Sequence, residues 1–94
     1  MKTLVWSSRF IRAFRRVVRR QPELRTKIEQ TLRQLAEEPF HPSLHSHKLK
    51  GELAGVWACT VDYNNRILFE FIQGAESGAE EIYLLTMGTH DEVY

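Results

Sequence analysis

Two adjacent amphipathic segments, separated at Pro22, constrain the fold of this chain more than any other feature. In the first segment apolar residues recur at helical spacing, and Ser7 or Ser8 supplies a hydroxyl that can cap a helix. Pro22 suits the first turn of a second helix, which continues until Pro39. The apolar positions are Phe10, Ile11, Phe14, Val17 and Val18, then Leu24, Ile28, Leu32 and Leu35. Because the linker is so short, the two helices must fold back as an antiparallel pair and bury both stripes on a common partner.

That partner is a sheet predicted from segments rich in β-forming residues. The predicted strands are residues 2–6, 55–61, 66–72 and 81–86. Residues 62–65 form a turn-prone linker, and residues 73–80 contain the glycines of a hairpin loop. The order strand, helix, helix and three strands predicts an α+β fold, in which two N-terminal antiparallel helices pack on a small, mainly antiparallel sheet.

Length and composition predict one domain over residues 1–94 that works without cofactors. A chain of 94 residues can bury one compact core without a metal or a disulfide, and the lone Cys59 cannot form an internal disulfide. The sequence has neither an apolar stretch of about 20 residues nor a signal-peptide pattern. We therefore expect a cytoplasmic protein with no membrane contact.

The charges are divided between the two halves of the chain. Residues 1–50 carry 12 Lys and Arg against 4 Asp and Glu, whereas residues 51–94 carry 1 against 8. The arginines of the first predicted helix are Arg9, Arg12, Arg15, Arg16, Arg19 and Arg20. This basic face is either a solvated surface or a surface that binds RNA or a protein partner.

The end of the chain carries the clearest chemical signal. His90 and Tyr94 lie four residues apart, after a strand that we expect to break at Gly88. If these last residues form one helical turn, both side chains project from the same face. A proton-transfer group would then stand beside a ring that can stack on a base, or that simply packs over the sheet edge.

Cleavage of RNA without a metal needs a general base, a general acid and fixed positive charge. The candidates are His47, Lys48, Lys50, Arg66 and His90. Arg66 is the only basic residue in the second half of the chain, although a surface ion pair with Glu70 would also explain it. We expect no zinc site, because the lone Cys59 lies far from the histidines in the sequence and gives no recognised spacing of zinc ligands.

The sequence resembles the RelE/ParE superfamily of bacterial type II toxins, in particular the RelE and YafQ-like mRNA interferases. The resemblance covers nearly the whole chain and is carried by Phe10, Phe14, Leu32, Leu35, His47-Lys48-Leu49-Lys50-Gly51, residues 57–61, residues 65–69 and Gly88-Thr89-His90-Asp91-Glu92-Val93-Tyr94. It implies a toxin that enters the ribosomal A site, cleaves translated mRNA and is held inactive by an antitoxin. Operator DNA would be contacted only through the complex with that antitoxin.

The resemblance also implies roles for individual residues. His90 would act as general acid and His47 as general base, or the reverse. Arg66, supported by Lys48, would stabilise charge in the transition state, and Tyr94 would orient the scissile nucleotide. The residues implied to contact RNA or the ribosome are Lys48, Lys50, Arg12, Arg15, Arg16 and Arg19.

The sequence departs from the family pattern at three positions, and two other functions stay open. Ala58 and Thr60 stand where YafQ-like toxins have an aspartate and a histidine, and Gly88 stands where RelE has an arginine. ParE-like relatives share the fold but act on DNA gyrase. In a non-catalytic alternative, the protein would serve only as half of a repressor complex with its antitoxin.

Overall fold

The two predicted helices are present, and proline sets where each one ends. The computed structural model describes all 94 residues; helix α1 spans Ser8–Arg20 and α2 spans Leu24–Glu37. Each helix ends immediately before a non-helical residue that itself precedes a proline: Gln21 (φ −137°, ψ 77°) and Glu38 (φ −150°, ψ 87°). Helical backbone is disfavoured for a residue before proline, because the proline ring clashes with it. The sequence therefore fixes both helix ends locally.

Five strands form one mixed sheet in the order β1-β5-β4-β3-β2. The strands are β1 (Leu4–Trp6), β2 (His47–Lys48), β3 (Trp57–Thr60), β4 (Asn65–Gln73) and β5 (Glu80–Thr89). Only the β1–β5 pair is parallel, and the other three pairs are antiparallel. The predicted α+β fold, with two N-terminal helices and a mainly antiparallel sheet, is confirmed.

The two faces of the sheet carry separate apolar clusters. The larger cluster lies under α1 and α2, and its fully buried members include Phe10, Ile28, Leu35, Phe69 and Leu84. The smaller cluster lies on the opposite face and consists of Val56, Ala58, Leu68 and Val93. This division follows from the alternation of side chains along each strand. We call the face that bears Ala58 and Leu68 the site face.

The larger cluster also holds the lone cysteine. Cys59 is fully buried there, and burial raises the pKa of its thiol to about 12, against a weaker opposing effect of its hydrogen bond to the Ile67 backbone. The thiol is therefore protonated at neutral pH and behaves as a small apolar group.

Two features at the sheet margins differ from the sequence prediction. Strand β2 was not predicted, because two residues flanked by the short 3₁₀ helices Pro42–Leu44 and Gly51–Leu53 give no periodic signal. The predicted break at Gly88 is wrong, since β5 continues to Thr89 and Gly88 pairs with Arg66. The predicted helical turn then follows as α3 (His90–Val93). None of the helices combines the length and the apolar composition that a membrane span needs.

The hydroxyl of Ser7 provides a test of how α1 is anchored to the sheet. Its Oγ accepts a hydrogen bond from the Phe10 amide at 3.0 Å and donates one to the Leu85 carbonyl oxygen at 3.1 Å. We expect Ser7→Ala to lower the free energy of unfolding by about 1 to 2 kcal/mol, because both bonds are lost at a half-buried site. Urea denaturation measures the change. The control Ser8→Ala removes an exposed hydroxyl of the same helix and should change stability by less than about 0.5 kcal/mol; equal losses in the two variants would contradict this account.

Candidate functional site

The strand register places Arg66 and His47 on the site face. Arg66 pairs with Thr60 on one side and with Gly88 on the other, while His47 pairs with Ala58. Residues that lie directly opposite each other on adjacent strands project to the same face. Arg66 therefore lies on the face that bears Leu68, and His47 lies on the same face at the edge of the sheet.

One nitrogen of Arg66 is committed to the turn between β3 and β4. Its Nη1 donates hydrogen bonds to the carbonyl oxygens of Asp62, Tyr63 and Asn65, at 2.7, 3.0 and 3.2 Å. The alternative of a surface ion pair with Glu70 is not realised, because no carboxylate pairs with Arg66. Its other guanidinium nitrogens have no protein partner, so that the side chain keeps free donors for an anion.

The turn that holds Arg66 is itself tied together by Asp62. Its Oδ1 accepts from the backbone amides of Asn64 and Asn65 at 3.0 and 2.8 Å, and from the Asn65 side-chain amide at 3.0 Å. This Asx-type arrangement satisfies the turn's donors locally, and Asn65 is almost completely buried. The Arg66 guanidinium therefore rests on a well-defined backbone.

The short helix α3 is held at both ends of its first turn. Thr89 Oγ1 accepts from the Glu92 amide at 3.3 Å, and Glu92 Oε1 accepts from the Thr89 amide at 2.9 Å, which is a capping box. The other carboxylate oxygen of Glu92 lies 3.6 Å from Arg20 Nη1 on α1. The hydrogen bond from the Thr89 backbone, with smaller effects of Arg16 and Arg20, lowers the pKa of Glu92.

Gly88 leaves room for the Glu92 side chain where α3 folds over the end of β5. A Cβ at this position would lie 2.9 Å from Glu92 Oε1, 3.2 Å from Glu92 Cβ and 3.4 Å from a methyl group of Val93. An arginine at position 88, as in RelE, would force the Glu92 carboxylate to move and would crowd Glu92 Cβ. The departure from the RelE pattern is therefore matched by the packing of α3.

Helix α3 brings His90 and Tyr94 into contact, as the four-residue spacing predicts. Their ring centroids are 4.4 Å apart with an interplanar angle of 73°, and both side chains are exposed. His90 Nδ1 lies 3.5 Å from Asp91 Oδ1. Partial burial raises the pKa of the Tyr94 phenol, and the positive charge of Arg66 acts in the opposite direction. The phenol thus lies within the electrostatic influence of Arg66.

Arg66 and His90 line one open cavity of about 340 Å³, at the end of the sheet where β4 begins and β5 ends. The complete lining is Tyr63, Asn64, Arg66, Thr89, His90 and Asp91. Sequence reasoning treated Tyr63 and Asn64 only as turn residues and missed their place beside Arg66. The sequence feature that could have indicated this site is an aromatic residue, Tyr63, at the tip of a β-hairpin turn, where its side chain cannot be buried.

His47 does not line this cavity. It lies two strands and two residues away from Arg66, which corresponds to about 12 Å between their Cα atoms. Its Nδ1 is 3.0 Å from the carbonyl oxygen of His45. Because a carbonyl oxygen only accepts, Nδ1 carries the proton in the neutral ring and Nε2 is left free as a base.

The two predicted lysines lie outside the cavity. Lys48 pairs with Trp57, which packs against the helix-side cluster, and its Nζ is 5.6 Å from the Trp57 ring centroid. The prediction that Lys48 supports Arg66 is therefore corrected, because the alternation along β2 directs the two side chains to opposite faces. Lys50 is exposed immediately before the 3₁₀ helix Gly51–Leu53.

The predicted RNA-contacting arginines of α1 occupy three different environments. Arg12 is exposed, and Arg16 is half-buried and acts electrostatically on Glu92. Arg15 and Arg19 border an open groove of about 490 Å³, lined by Trp6, Ile11, Phe14, Arg15, Val18, Arg19 and Arg25. The basic helix therefore presents an apolar groove with cationic margins in addition to free charge.

The remaining histidines have local structural roles. His41 Nδ1 accepts from the Ser43 amide at 3.1 Å, and His45 ends the first 3₁₀ helix in a left-handed conformation (φ 49°). No three His, Cys, Asp or Glu side chains are grouped so that they could hold a metal ion.

Comparison with known proteins assigns the family. Residues 2–94 match the family model described as the bacterial toxin of a type II toxin-antitoxin system, YafQ. The chain belongs to this YafQ toxin family. A search of curated proteins found no match.

Solved structures show the same fold at low sequence identity. YafQ from Escherichia coli strain BL21(DE3) is 11% identical with a TM-score of 0.78, and the match covers 100% of this chain and 99% of that one. The E. coli DinJ-YafQ complex is 14% identical with a TM-score of 0.78 over 100% and 99%. A YoeB/ParE toxin from Agrobacterium tumefaciens is 23% identical with a TM-score of 0.75 over 96% and 99%. At these identities the structures support the fold.

Glu92 provides a pH test of how α3 is held. A carboxyl whose pKa is lowered by folding stabilises the folded state above its ordinary pKa, and this contribution is lost as the pH falls through the lowered value. We expect Glu92→Gln to be less stable than the wild type at pH 7 and nearly equal to it at the acidic end of the titration. Urea denaturation from pH 7 down to the acidic end of the titration measures the difference in the free energy of unfolding between the two proteins. Glu76→Gln, in the exposed hairpin loop, is the control. A gap that does not change with pH would contradict the assignment.

Proposed function

We propose that this toxin is a ribosome-dependent endoribonuclease that cleaves translated mRNA in the A site. Membership of the YafQ toxin family supports a toxin, and one observation supports the chemistry. An exposed imidazole, His90, and a guanidinium with free donors, Arg66, line the same open cavity. A proton donor and a fixed positive charge at one place are two of the three groups that metal-independent cleavage of RNA requires.

In the proposed reaction, the ribose 2′-oxygen attacks the adjacent phosphorus while the bond from phosphorus to the 5′-oxygen breaks. The general base takes the proton of the 2′-hydroxyl, and the general acid protonates the leaving 5′-oxygen. The products are a 2′,3′-cyclic phosphate and a 5′-hydroxyl. Arg66 stabilises the extra negative charge of the transition state with the nitrogens that the turn leaves free.

His90 is the general acid in this proposal, because it shares the cavity with Arg66. His47 is the general base, because its Nε2 is free and it lies on the same face of the sheet. Since His47 lies about 12 Å from Arg66 between Cα atoms, the proposal requires the substrate to extend from the cavity of Arg66 and His90 across the site face to His47. Tyr94 orients the scissile nucleotide by stacking, next to the His90 ring.

We further propose that a cognate antitoxin inhibits this toxin in the cytoplasm, and that operator DNA is bound only by the toxin-antitoxin complex. The similarity to the toxin subunit of the DinJ-YafQ complex supports this partner. The groove beside α1 offers an apolar floor with cationic margins for such a protein. The exposed arginines of α1 would dock the free toxin on ribosomal RNA.

The proposed chemistry is tested by mapping cleavage of a translated transcript, with and without ribosomes. We expect His90→Ala to lower the cleavage rate by about 10² to 10⁴, because the leaving group loses its proton donor. His47→Ala is expected to lower it by a similar factor. The control His45→Asn keeps a residue that tolerates the left-handed conformation and should cleave like the wild type.

Results other than these would change the role of His47 or the proposed function. A loss below tenfold in His47→Ala, together with a large loss in His90→Ala, would remove His47 from the base role. Equal and undetectable cleavage by the wild type and His90→Ala would overturn the nuclease proposal. Inhibition of DNA gyrase would then identify a ParE-like toxin, and operator binding with the antitoxin as the sole activity would identify a co-repressor.

The salt dependence of ribosome binding tests the role of α1. We expect Arg12→Gln to weaken binding and to reduce the slope of log affinity against log salt by about 1, because one phosphate contact is lost. Sedimentation with ribosomes between about 50 and 200 mM salt measures the slope. The control Arg33→Gln removes an exposed arginine of α2. An unchanged slope in Arg12→Gln would assign that side chain to the solvated surface.

A further inference from the structure

Tyr63 has no evident role in the stability of the fold. Its side chain is 91% exposed, which is the highest value among the exposed large hydrophobic residues of the chain. The other exposed aromatic residues, including Trp6, Phe40 and Tyr94, each contact another aromatic ring, whereas Tyr63 contacts none. An aromatic ring that is left this exposed offers both of its faces to a ligand.

The backbone beneath the Tyr63 ring is nevertheless fixed. Its carbonyl oxygen accepts from Arg66 Nη1 at 3.0 Å, and the Asp62 carboxylate ties together the amides of the next two residues. The same contacts that hold the turn therefore hold the base of the Tyr63 side chain. Because the backbone is already fixed, ordering this ring on a flat ligand costs only the freedom of its side-chain torsions, and this favours affinity.

Tyr63 also lies at the right place for a nucleotide. It lines the cavity that contains Arg66 and His90, and it is directly hydrogen-bonded to Arg66 through its backbone. A nucleotide whose phosphate contacts the free guanidinium nitrogens would keep its base within this same cavity. Tyr63 and Tyr94 are then separate aromatic rings beside the chemistry, which fits a substrate with more than one unstacked base.

Asn64 adds a group that can read the edge of a base. Its backbone amide is bonded to Asp62, but its side-chain amide has no hydrogen-bond partner in the protein. This amide offers one acceptor and two donors next to the stacking surface. The donor and acceptor pair of an asparagine side chain matches the Hoogsteen edge of adenine, where an amino group lies beside a ring nitrogen.

We propose that Tyr63 and Asn64 form a nucleobase subsite, in which Tyr63 stacks on a base next to the scissile phosphate and Asn64 favours adenine there. The subsite rests on the proposed RNA cleavage for its biological role. Its binding property does not depend on catalysis, because neither side chain moves a proton in the reaction. Binding and cleavage can therefore be measured separately.

The binding test uses the full-length protein and a short single-stranded ribo-oligonucleotide whose 2′-hydroxyl at the scissile position is methylated. We expect Tyr63→Ala to weaken binding by about tenfold, the effect of one lost stacking contact, and Tyr63→Phe to bind within about twofold of the wild type. Phe40→Ala, which removes an exposed ring on the helix side of the sheet, is the control. Thermal unfolding of each variant shows that the fold is retained.

The cleavage test uses the same variants on a translated transcript. Tyr63→Ala should raise KM with kcat changed by less than about threefold, and Asn64→Ala should lose the preference for adenine by about tenfold while it still cleaves. Suppose that cleavage requires His90, but that Tyr63→Ala cleaves RNA and binds the oligonucleotide as well as the wild type does. This result would overturn the subsite and leave the proposed nuclease activity intact. Oligonucleotide binding that requires Tyr63, without any cleavage by the wild type, would support the subsite and overturn the nuclease.

Discussion

The antiparallel pairing of β4 with β5 is the constraint on which the rest of the site depends. It runs from Asn65 opposite Thr89 to Gln73 opposite Glu80, and it is the longest ladder in the sheet. Because Arg66 begins this ladder and α3 follows its end, the pairing fixes the arginine and His90 at the same margin of the sheet. A shift of β4 by one residue would direct Arg66 into the helix-side cluster. The same strand register therefore determines both the packing of the core and the geometry of the site.

Arg66 has a mechanical role and an electrostatic role at once. One nitrogen closes the β3–β4 turn on three carbonyl oxygens, and the rest of the guanidinium faces the cavity. No nearby carboxylate forms an ion pair with it: Asp62 accepts from three donors of the turn, and Glu92 is held by Thr89 and Arg20. Asp91 lines the same cavity, and its carboxylate lies 3.5 Å from His90. A lysine could supply the charge but not the planar fork that serves both roles.

The sequence predicts the parts of this molecule that repeat with a period. The stripes of α1 and α2, the prolines after them and the three long strands are local patterns, and all of them are present in the structure. Strand β2 is too short to show a period, and the face taken by Lys48 depends on a register that only tertiary pairing sets. Gly88 was predicted to break the strand because glycine adopts many backbone conformations. In the structure it pairs with Arg66 inside β5, and its lack of a side chain leaves room for Glu92. Tyr63 was missed because a turn residue becomes part of a site only through what folds beside it.

The acidic residues of the second half of the chain are not evenly distributed in the folded structure. Glu76, Glu80 and Glu81 lie at the loop end of the β4–β5 hairpin, about 24 Å along the strand from Arg66, and Glu80 is paired with Lys2. At the opposite end, Arg66 carries an unpaired charge that lies beyond the screening length of those acids at physiological salt. These three carboxylates therefore act at the far end of the sheet, where they repel a polyanion, and Asp91 is the carboxylate that lines the cavity itself. For the proposed RNA substrate, this separation leaves the margin with Arg66, His90 and Tyr63 outside the influence of the carboxylates at the hairpin end.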